Sequence, residues 1–162
     1  MHGIGAQTAQ PARQVVALAG DGGLAMMLGE LITLMQNRLP VKTIVVNNSS
    51  LNFVELEMKA AGFVTYATDL ENPNFAAVAE ALGILARRVE RSEDLPDAVR
   101  EVLAHDGPAL LDVVTERQEL SMPPAITAEQ VKGFALYAIR IVMSGRGDEL
   151  LDLARANWRQ LF

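Results

Sequence analysis

Hydrophobic residues along this chain alternate between short continuous runs and longer stretches with helical spacing. The short runs predict buried strands over Gln14–Ala19, Lys42–Asn47, Leu85–Val89 and Ala109–Thr115. The stretches between them predict helices over Leu24–Arg38, Leu51–Ala61, Asn74–Leu82 and Ser92–His105. Strands that alternate with helices are typical of an α/β fold, in which a parallel sheet is sandwiched by helices.

After the last predicted strand the pattern changes. Met122-Pro123-Pro124 interrupts the chain, and helices are predicted from Thr127 to Met143 and from Asp148 to Phe162. We therefore expect an α/β domain over residues 1–120 and a C-terminal helical extension over residues 121–162.

Composition excludes several classes of function. The chain has 162 residues, with 14 Lys and Arg against 20 Asp and Glu and no basic block, which argues against nucleic acid as a partner. Cys is absent, so disulfides, thiolate catalysis and Cys-based zinc sites are excluded. No apolar run reaches the roughly 18 residues that span a bilayer, and the first residues do not resemble a secretory signal. We therefore expect a cytoplasmic protein.

Unusual polar residues follow the first two predicted strands. Gly20-Asp21-Gly22-Gly23 comes after the first strand, and Asn47-Asn48-Ser49-Ser50 ends the second. Ligands bind beyond the carboxyl ends of parallel strands, where Asp21 and Asn48 would lie side by side. A carboxylate, a carboxamide oxygen and a backbone carbonyl suit Mg²⁺, and a glycine turn admits a phosphate. The glycine turn alone is more typical of an ordinary tight turn, but the asparagine pair favours a Mg²⁺–diphosphate site.

The spacing of these motifs is similar to a known signature. Gly20-Asp21-Gly22, followed after 24 residues by Asn47-Asn48, resembles the signature of thiamine-diphosphate enzymes. Further motifs resemble the C-terminal part of bacterial pyruvate:quinone oxidoreductases (pyruvate oxidases): Arg13–Ala17, Leu39–Lys42, Glu57–Lys59, Asp106–Pro108, Lys132–Phe134 and Ser144–Glu149.

The resemblance implies roles for individual residues. The cofactor-binding residues would be Gly20, Asp21, Gly22, Gly23, Asn48 and Ser50. Among these, Asp21 and Asn48 would ligate Mg²⁺ through their side chains and Ser50 through its backbone carbonyl. Phe53, Val54 and Glu57 would lie near the substrate and, in flavin-dependent members, near the flavin. Asn52 departs from the family, which prefers glycine there, so the loop after the metal ligands is expected to differ in shape.

The resemblance also implies an activity for the full-length enzyme. Pyruvate or a related 2-oxo acid would be decarboxylated on thiamine diphosphate, with electrons passing through FAD to a quinone, in a homo-oligomer (a tetramer built from dimers). The alternatives are another enzyme of the family, such as an acetolactate synthase or a 2-oxo acid decarboxylase, or a non-catalytic domain that binds the cofactor or assembles with a partner. The family's activating glutamate and flavin domain lie outside this chain. We therefore expect a C-terminal fragment that has no catalytic residue of its own and is inactive alone.

The last predicted helix is amphipathic. Its apolar face comprises Leu150, Leu151, Ala154, Trp158, Leu161 and Phe162. This face predicts either packing against protein or contact with lipid. The resemblance implies lipid binding, which would place the enzyme peripherally on the inner face of the cell membrane. Three acidic residues against two basic ones exclude polybasic attraction to anionic lipid as the driving force.

Overall fold

The computed structural model describes residues 2–117 and 127–157. The chain forms two compact units. The first, here called the sheet unit, comprises Met1–Ser49 and Glu71–Thr115. The second, the helical unit, comprises Ser50–Leu70 and Glu116–Phe162. The division predicted at residue 120 falls among residues that are not described, and residues 50–70 group with the C-terminal segment.

The sheet unit contains four parallel strands in the order β1-β2-β4-β3. They are β1 (Val16–Gly20), β2 (Lys42–Asn47), β3 (Leu85–Val89) and β4 (Ala109–Val114). Each lies within two residues of its predicted bounds. The predicted α/β class is therefore confirmed.

The helices of the described residues lie before, between and after the strands. They are α1 (His2–Ala9), α2 (Asp21–Met26), α3 (Glu30–Gln36), α4 (Asn52–Ala60), α5 (Phe75–Ala81), α6 (Leu95–Ala104), α7 (Ala128–Met143) and α8 (Asp148–Asn157), with a 3₁₀ turn at Ser92–Asp94. Asn74 caps α5 by accepting a hydrogen bond from the Ala77 amide at 3.0 Å.

The prediction of one helix over Leu24–Arg38 was wrong, because the structure has α2 and α3 there. Backbone bonds of the i to i−3 type close the turn between them, such as Met27 N–H to Leu24 O at 2.9 Å and Glu30 N–H to Met27 O at 3.0 Å. Gly29 stands in this turn, where its low helix propensity favours the break. Helix α2 also starts earlier than predicted, at Asp21, so the glycine turn forms the first turn of a helix.

Helices cover both faces of the sheet. One face packs against α2, α3 and α5 around a core of Leu24, Leu31, Leu34, Val41, Val45, Phe75, Ala76, Ala79, Ile84, Ala86 and Leu110. The other packs against α6 through Val89, Ala98, Val102, Ala109 and Leu111. Edge strand β1 remains open on this second face, where Leu18 is 73% exposed.

The helical unit is built on the contact between α4 and α7. Helix α7 starts with a capping box, in which Thr127 and Gln130 bond each other's backbone amides. Among the described residues, no helix is long and apolar enough to cross a membrane. Of the predicted lipid-binding face, Leu150, Leu151 and Ala154 lie on α8, whereas Trp158, Leu161 and Phe162 lie outside the described residues.

Candidate functional site

Asp21 lies at the carboxyl end of β1, as the sequence predicts. Gly20 keeps the extended conformation of the strand (φ −77°, ψ 160°), and Asp21 starts α2 directly after it. The carboxylate is only 3% exposed. Its Oδ1 accepts a hydrogen bond from the Gly22 amide at 2.9 Å, and its Oδ2 accepts one from Asn72 Nδ2 at 2.7 Å.

Asp21 forms no ion pair with any described residue. Burying a carboxylate without a positive partner is costly, so the site fits a bound cation. No cluster of three His, Cys, Asp or Glu side chains stands anywhere in the described residues. A cation at Asp21 would therefore be completed by amide, carbonyl, phosphate or water oxygens, which is a donor set that Mg²⁺ accepts.

The two asparagines at the end of β2 differ in their surroundings. Asn47 is buried, and its Nδ2 donates to Asp112 Oδ1 at 3.0 Å while its Oδ1 accepts from Asn72 Nδ2 at 3.1 Å. Both ends of its carboxamide are thus used inside the sheet unit. Asn48, the next residue, is half-buried. The metal-ligand role of Asn48 stays a prediction.

A continuous line of hydrogen bonds crosses the carboxyl edge of the sheet. It runs from Asp21 through Asn72 and Asn47 to Asp112 on β4, and ends at Arg88 on β3, whose Nη1 donates to Asp112 Oδ2 at 2.6 Å. We call these five residues the edge network. It ties the ends of all four strands to the candidate metal ligand.

Arg88 carries the positive charge at the far end of the edge network. Its hydrogen bond to Glu90 is the largest influence and raises its pKa. Burial opposes this, but the bond to Asp112 and the charges of both carboxylates keep the pKa raised. Arg88 is therefore a permanent cation, and it compensates the buried carboxylate of Asp112.

Three members of the edge network were not predicted from the sequence. Asp112 interrupts an otherwise apolar strand, and a carboxylate in a buried strand indicates that a partner must exist. That signal could have found Asp112 and, through it, Arg88. Asn72 lies in the predicted loop Phe63–Pro73, and nothing in the local pattern distinguishes it.

The glycine turn leaves space for a ligand. A Cβ atom added at Gly20 or Gly23 would meet no other atom within 4 Å. Gly22 is buried, and its amide already donates to Asp21. Of the amides predicted to bind diphosphate, the Gly22 amide thus donates to the Asp21 carboxylate in this structure. The diphosphate-binding role of Gly23 stays a prediction.

The remaining predicted site residues belong to the helical unit. Phe53, at 75% exposed, and Val54, at 48%, lie at the surface of α4, where Glu57 is also exposed. Ser50 is buried, and its hydroxyl donates to Glu55 Oε2 at 2.6 Å. The metal-ligand role of its carbonyl stays a prediction.

The same helix buries an ion pair that the sequence did not predict. Lys59 Nζ lies 2.7 Å from Glu55 Oε1, and both residues are 3% exposed. Burial is the largest influence on the pKa of Glu55 and raises it, but hydrogen bonds from Lys59 and Ser50 and the charges of Lys59 and Arg117 together lower it. Glu55 is thus held as a carboxylate, which structures the segment after the predicted metal ligands.

Comparison with known proteins shows a family match over most of this chain. Residues 2–113 match the family described as "Thiamine pyrophosphate enzyme, C-terminal TPP binding domain". Among solved structures, the Rhodococcus jostii RHA1 thiamine diphosphate-dependent 4-hydroxybenzoylformate decarboxylase is similar, with a TM-score of 0.66 and 32% identity. The similarity covers 70% of this chain and 22% of the decarboxylase.

Curated relatives are also similar to this chain. YdaP of Bacillus subtilis (strain 168) is 33% identical over 94% of this chain and 26% of its own length. Its name describes it as a candidate thiamine pyrophosphate-containing protein. The mitochondrial acetolactate synthase of Schizosaccharomyces pombe is 36% identical over 83% of this chain and 20% of its own length. The chain thus spans about a quarter or less of these relatives.

These comparisons support the resemblance to thiamine-diphosphate enzymes in general. They do not support pyruvate oxidase specifically, since the relatives named are YdaP, an acetolactate synthase and a decarboxylase. The match over residues 2–113, the parallel sheet and the buried carboxylate after its first strand agree with one another. This chain belongs to the thiamine pyrophosphate enzymes and contains their C-terminal thiamine pyrophosphate-binding domain.

Proposed function

We propose that this chain provides the Mg²⁺- and diphosphate-binding part of the active site of an enzyme that acts on a 2-oxo acid. The observation that carries this proposal is the buried carboxylate of Asp21, which stands beside an open glycine turn with no ion-pair partner among the described residues. The name of the similar decarboxylase, which specifies a 2-oxo acid, supports the substrate class.

The chain's own residues would bind and orient the cofactor. Asp21 and Asn48 would hold Mg²⁺ through side-chain oxygens, and the Ser50 carbonyl is the third ligand that the resemblance implies. Gly20 and Gly23 would allow the diphosphate to approach the backbone closely. When bound, thiamine diphosphate supplies the electron sink that allows the bond between a keto carbon and its carboxylate to break.

Two kinds of reaction are candidates for the full-length enzyme. The named relatives favour an acetolactate synthase or a 2-oxo acid decarboxylase. Pyruvate:quinone oxidoreduction, with FAD and a quinone as acceptors, is the second candidate, because motifs such as Glu57–Lys59 and Lys132–Phe134 resemble that family. Product analysis of the full-length enzyme separates them, since acetolactate, an aldehyde and acetate are different products of the same 2-oxo acid.

The proposed partners and location are those that the resemblance to pyruvate:quinone oxidoreductases implies. Assembly as a homo-oligomer, and peripheral attachment to the inner face of the cell membrane through α8 and the residues after it, are proposals of the same kind. Leu151 on α8 is exposed, as a lipid-contacting residue would be.

Binding of thiamine diphosphate tests the proposed function. Calorimetric titration of the 162-residue chain should show binding with Mg²⁺ and little or none in EDTA. Asp21→Asn removes the anionic ligand. We expect this variant to bind thiamine diphosphate as weakly with Mg²⁺ as the wild type does in EDTA. Asp97→Asn makes the same change at an exposed surface pair and should bind like the wild type. Binding that is indifferent to both Mg²⁺ and Asp21→Asn would overturn the proposal.

A further inference from the structure

Asn72 connects the candidate metal ligand to the rest of the edge network. We propose that Asn72 is a positioning residue of the cation site, which holds the Asp21 carboxylate in its ligating orientation before the cation binds. This inference rests on the proposed function, because it assigns a role around the same cation. It adds a residue from outside the two sequence motifs that suggested the site.

The contacts of Asp21 show what Asn72 contributes. One carboxylate oxygen accepts from the Gly22 amide at 2.9 Å and the other from Asn72 Nδ2 at 2.7 Å. Each carboxylate oxygen can accept two hydrogen bonds, so each keeps one lone pair for a cation. The group is therefore held at both oxygens by neutral donors, and neither donor has to leave when a cation binds.

The chemistry of the edge network fixes which end of Asn72 faces Asp21. Arg88 can only donate and the carboxylate of Asp112 can only accept, so Asn47 must present its amide nitrogen to Asp112. Its oxygen then faces Asn72, which must present its own nitrogen. The two N–H groups of Asn72 are used by Asn47 and by Asp21.

This polarity argues against a role for Asn72 as a group that a cation must displace. If its carboxamide oxygen faced Asp21, the two acceptors would repel, and the asparagine would have to turn or be displaced before a cation could bind. With the nitrogen facing Asp21, the contact is attractive with or without the cation. Loss of Asn72 should therefore weaken cation binding, whereas loss of a displaced blocking group would strengthen it.

The test compares Mn²⁺ affinity with stability. Free Mn²⁺ is measured by electron paramagnetic resonance during titration of the whole chain with saturating thiamine diphosphate, and unfolding is followed by circular dichroism in EDTA. Removal of a group that orients a metal ligand lowers metal affinity about 10- to 100-fold. We expect Asn72→Ala to weaken Mn²⁺ binding by this factor.

Asn74→Ala is the matched control. It removes the cap of α5 two residues away, which should lower stability without contact to Asp21. We expect it to melt earlier and to bind Mn²⁺ like the wild type, so a merely structural role of the loop is distinguished from positioning. Asn72→Ser, which keeps a shorter donor, should show a smaller loss of affinity and serves if Asn72→Ala does not fold.

Failure of the inference and failure of the proposed function give different results. If the wild type does not bind Mn²⁺ with thiamine diphosphate, the proposed function fails. If the wild type binds and the folded Asn72 variants bind equally well or more tightly, the positioning role is refuted while the proposed function stands.

Discussion

Tyr137 on α7 is buried in the helical unit, and its hydroxyl has no hydrogen-bond partner among the described residues. Lys59 Nζ lies 5.8 Å from the centre of its ring. Burial raises the pKa of Tyr137 to about 12, with further contributions from the charges of Glu149 and Glu55, which Arg146 partly offsets. The phenol is thus neutral in the folded protein well above its ordinary pKa of 10.0.

This shift predicts a specific sensitivity to alkali. The pKa of Tyr137 is higher in the folded state, so the unfolded chain releases the proton first and stability falls between pH 10.0 and about 12. Tyr137→Phe removes this component of the decline, and it should also raise stability near neutral pH by about 1 kcal/mol, because a buried hydroxyl without a partner is lost. Urea unfolding at several pH values measures both effects.

The exposed Tyr66 provides the control for this substitution. Tyr66→Phe makes the same chemical change at the surface and should keep the wild-type stability at neutral pH. If Tyr137→Phe declines between pH 10 and about 12 as steeply as the wild type, burial of this phenol does not shape the alkaline stability.

At the residue scale, the sequence indicates candidate residues such as Asp21, but it does not show which distant residues contact one another. Asp21 could be found because a charged residue within a glycine turn after a strand is unusual. The role of Lys42 could not be predicted, because a lysine at the start of a strand is ordinary. In the structure Lys42 is buried, and its Nζ donates to the carbonyls of His105 and Gly107, each at 2.5 Å. Burial lowers its pKa, and the charge of Asp106 opposes that effect. Only contacts between distant segments show such roles.

At the scale of elements, the crossing of α4 and α7 depends on Gly133. A Cβ atom at this position would lie 1.7 Å from the backbone oxygen of Ala60, the last residue of α4. Gly62 follows two residues later with a φ of +80°, and Arg140 donates to its carbonyl at 2.7 Å. The glycine of the Lys132–Phe134 motif therefore lets the two backbones meet.

Gly133→Ala should consequently destabilise the protein. Alanine in place of glycine inside a helix normally raises the free energy of unfolding by up to about 1 kcal/mol. Here a backbone atom would have to move by more than an ångström, and we expect the overpacking cost of about 3 kcal/mol to outweigh the helix propensity. Chemical denaturation measures the difference. Gly5→Ala in α1, where an added Cβ meets nothing within 4 Å, should be neutral or stabilising. A neutral Gly133→Ala would contradict the predicted contact.

From β1 onward, the type and order of most elements could be predicted from hydrophobic periodicity, because buried residues recur at different spacings in strands and in helices. Helix α1 was not among the predicted helices. The break between α2 and α3 could not be predicted, since Leu24, Leu31 and Leu34 keep helical spacing across it and share one core. Hydrophobic spacing shows which residues face the sheet, but it does not show whether the backbone between them stays helical.

At the scale of the whole molecule, ligand binding should stabilise the sheet unit as one body. A ligand present at 100 times its dissociation constant adds about 2.7 kcal/mol to the stability. For a chain of this size, that corresponds to a rise of roughly 5–11 °C in the melting temperature. We expect this rise with Mg²⁺ and thiamine diphosphate together, and its reversal by EDTA. Calorimetric melting of Asp21→Asn should show no rise, and an equal rise in that variant would contradict the proposed role of Asp21 as a metal ligand.

The order of the strands in the sheet could be predicted only in part from the sequence. A strand, a helix and a strand in succession predict that β1 lies beside β2, and it does. The insertion of β4 between β2 and β3 is a long-range choice that local pattern does not encode. Asp112 reaches Asn47 only because of that insertion.

The sheet order has a consequence for the timing of synthesis. The strand that lies between β2 and β3 is the last of the four to leave the ribosome. A nascent chain that ends before Ala109 contains Asp21, Asn47 and Asn72, but it has neither the strand that brings the two halves of the sheet together nor the carboxylate that orients Asn47. The proposed binding of a divalent ion should therefore appear only after β4 has left the ribosome.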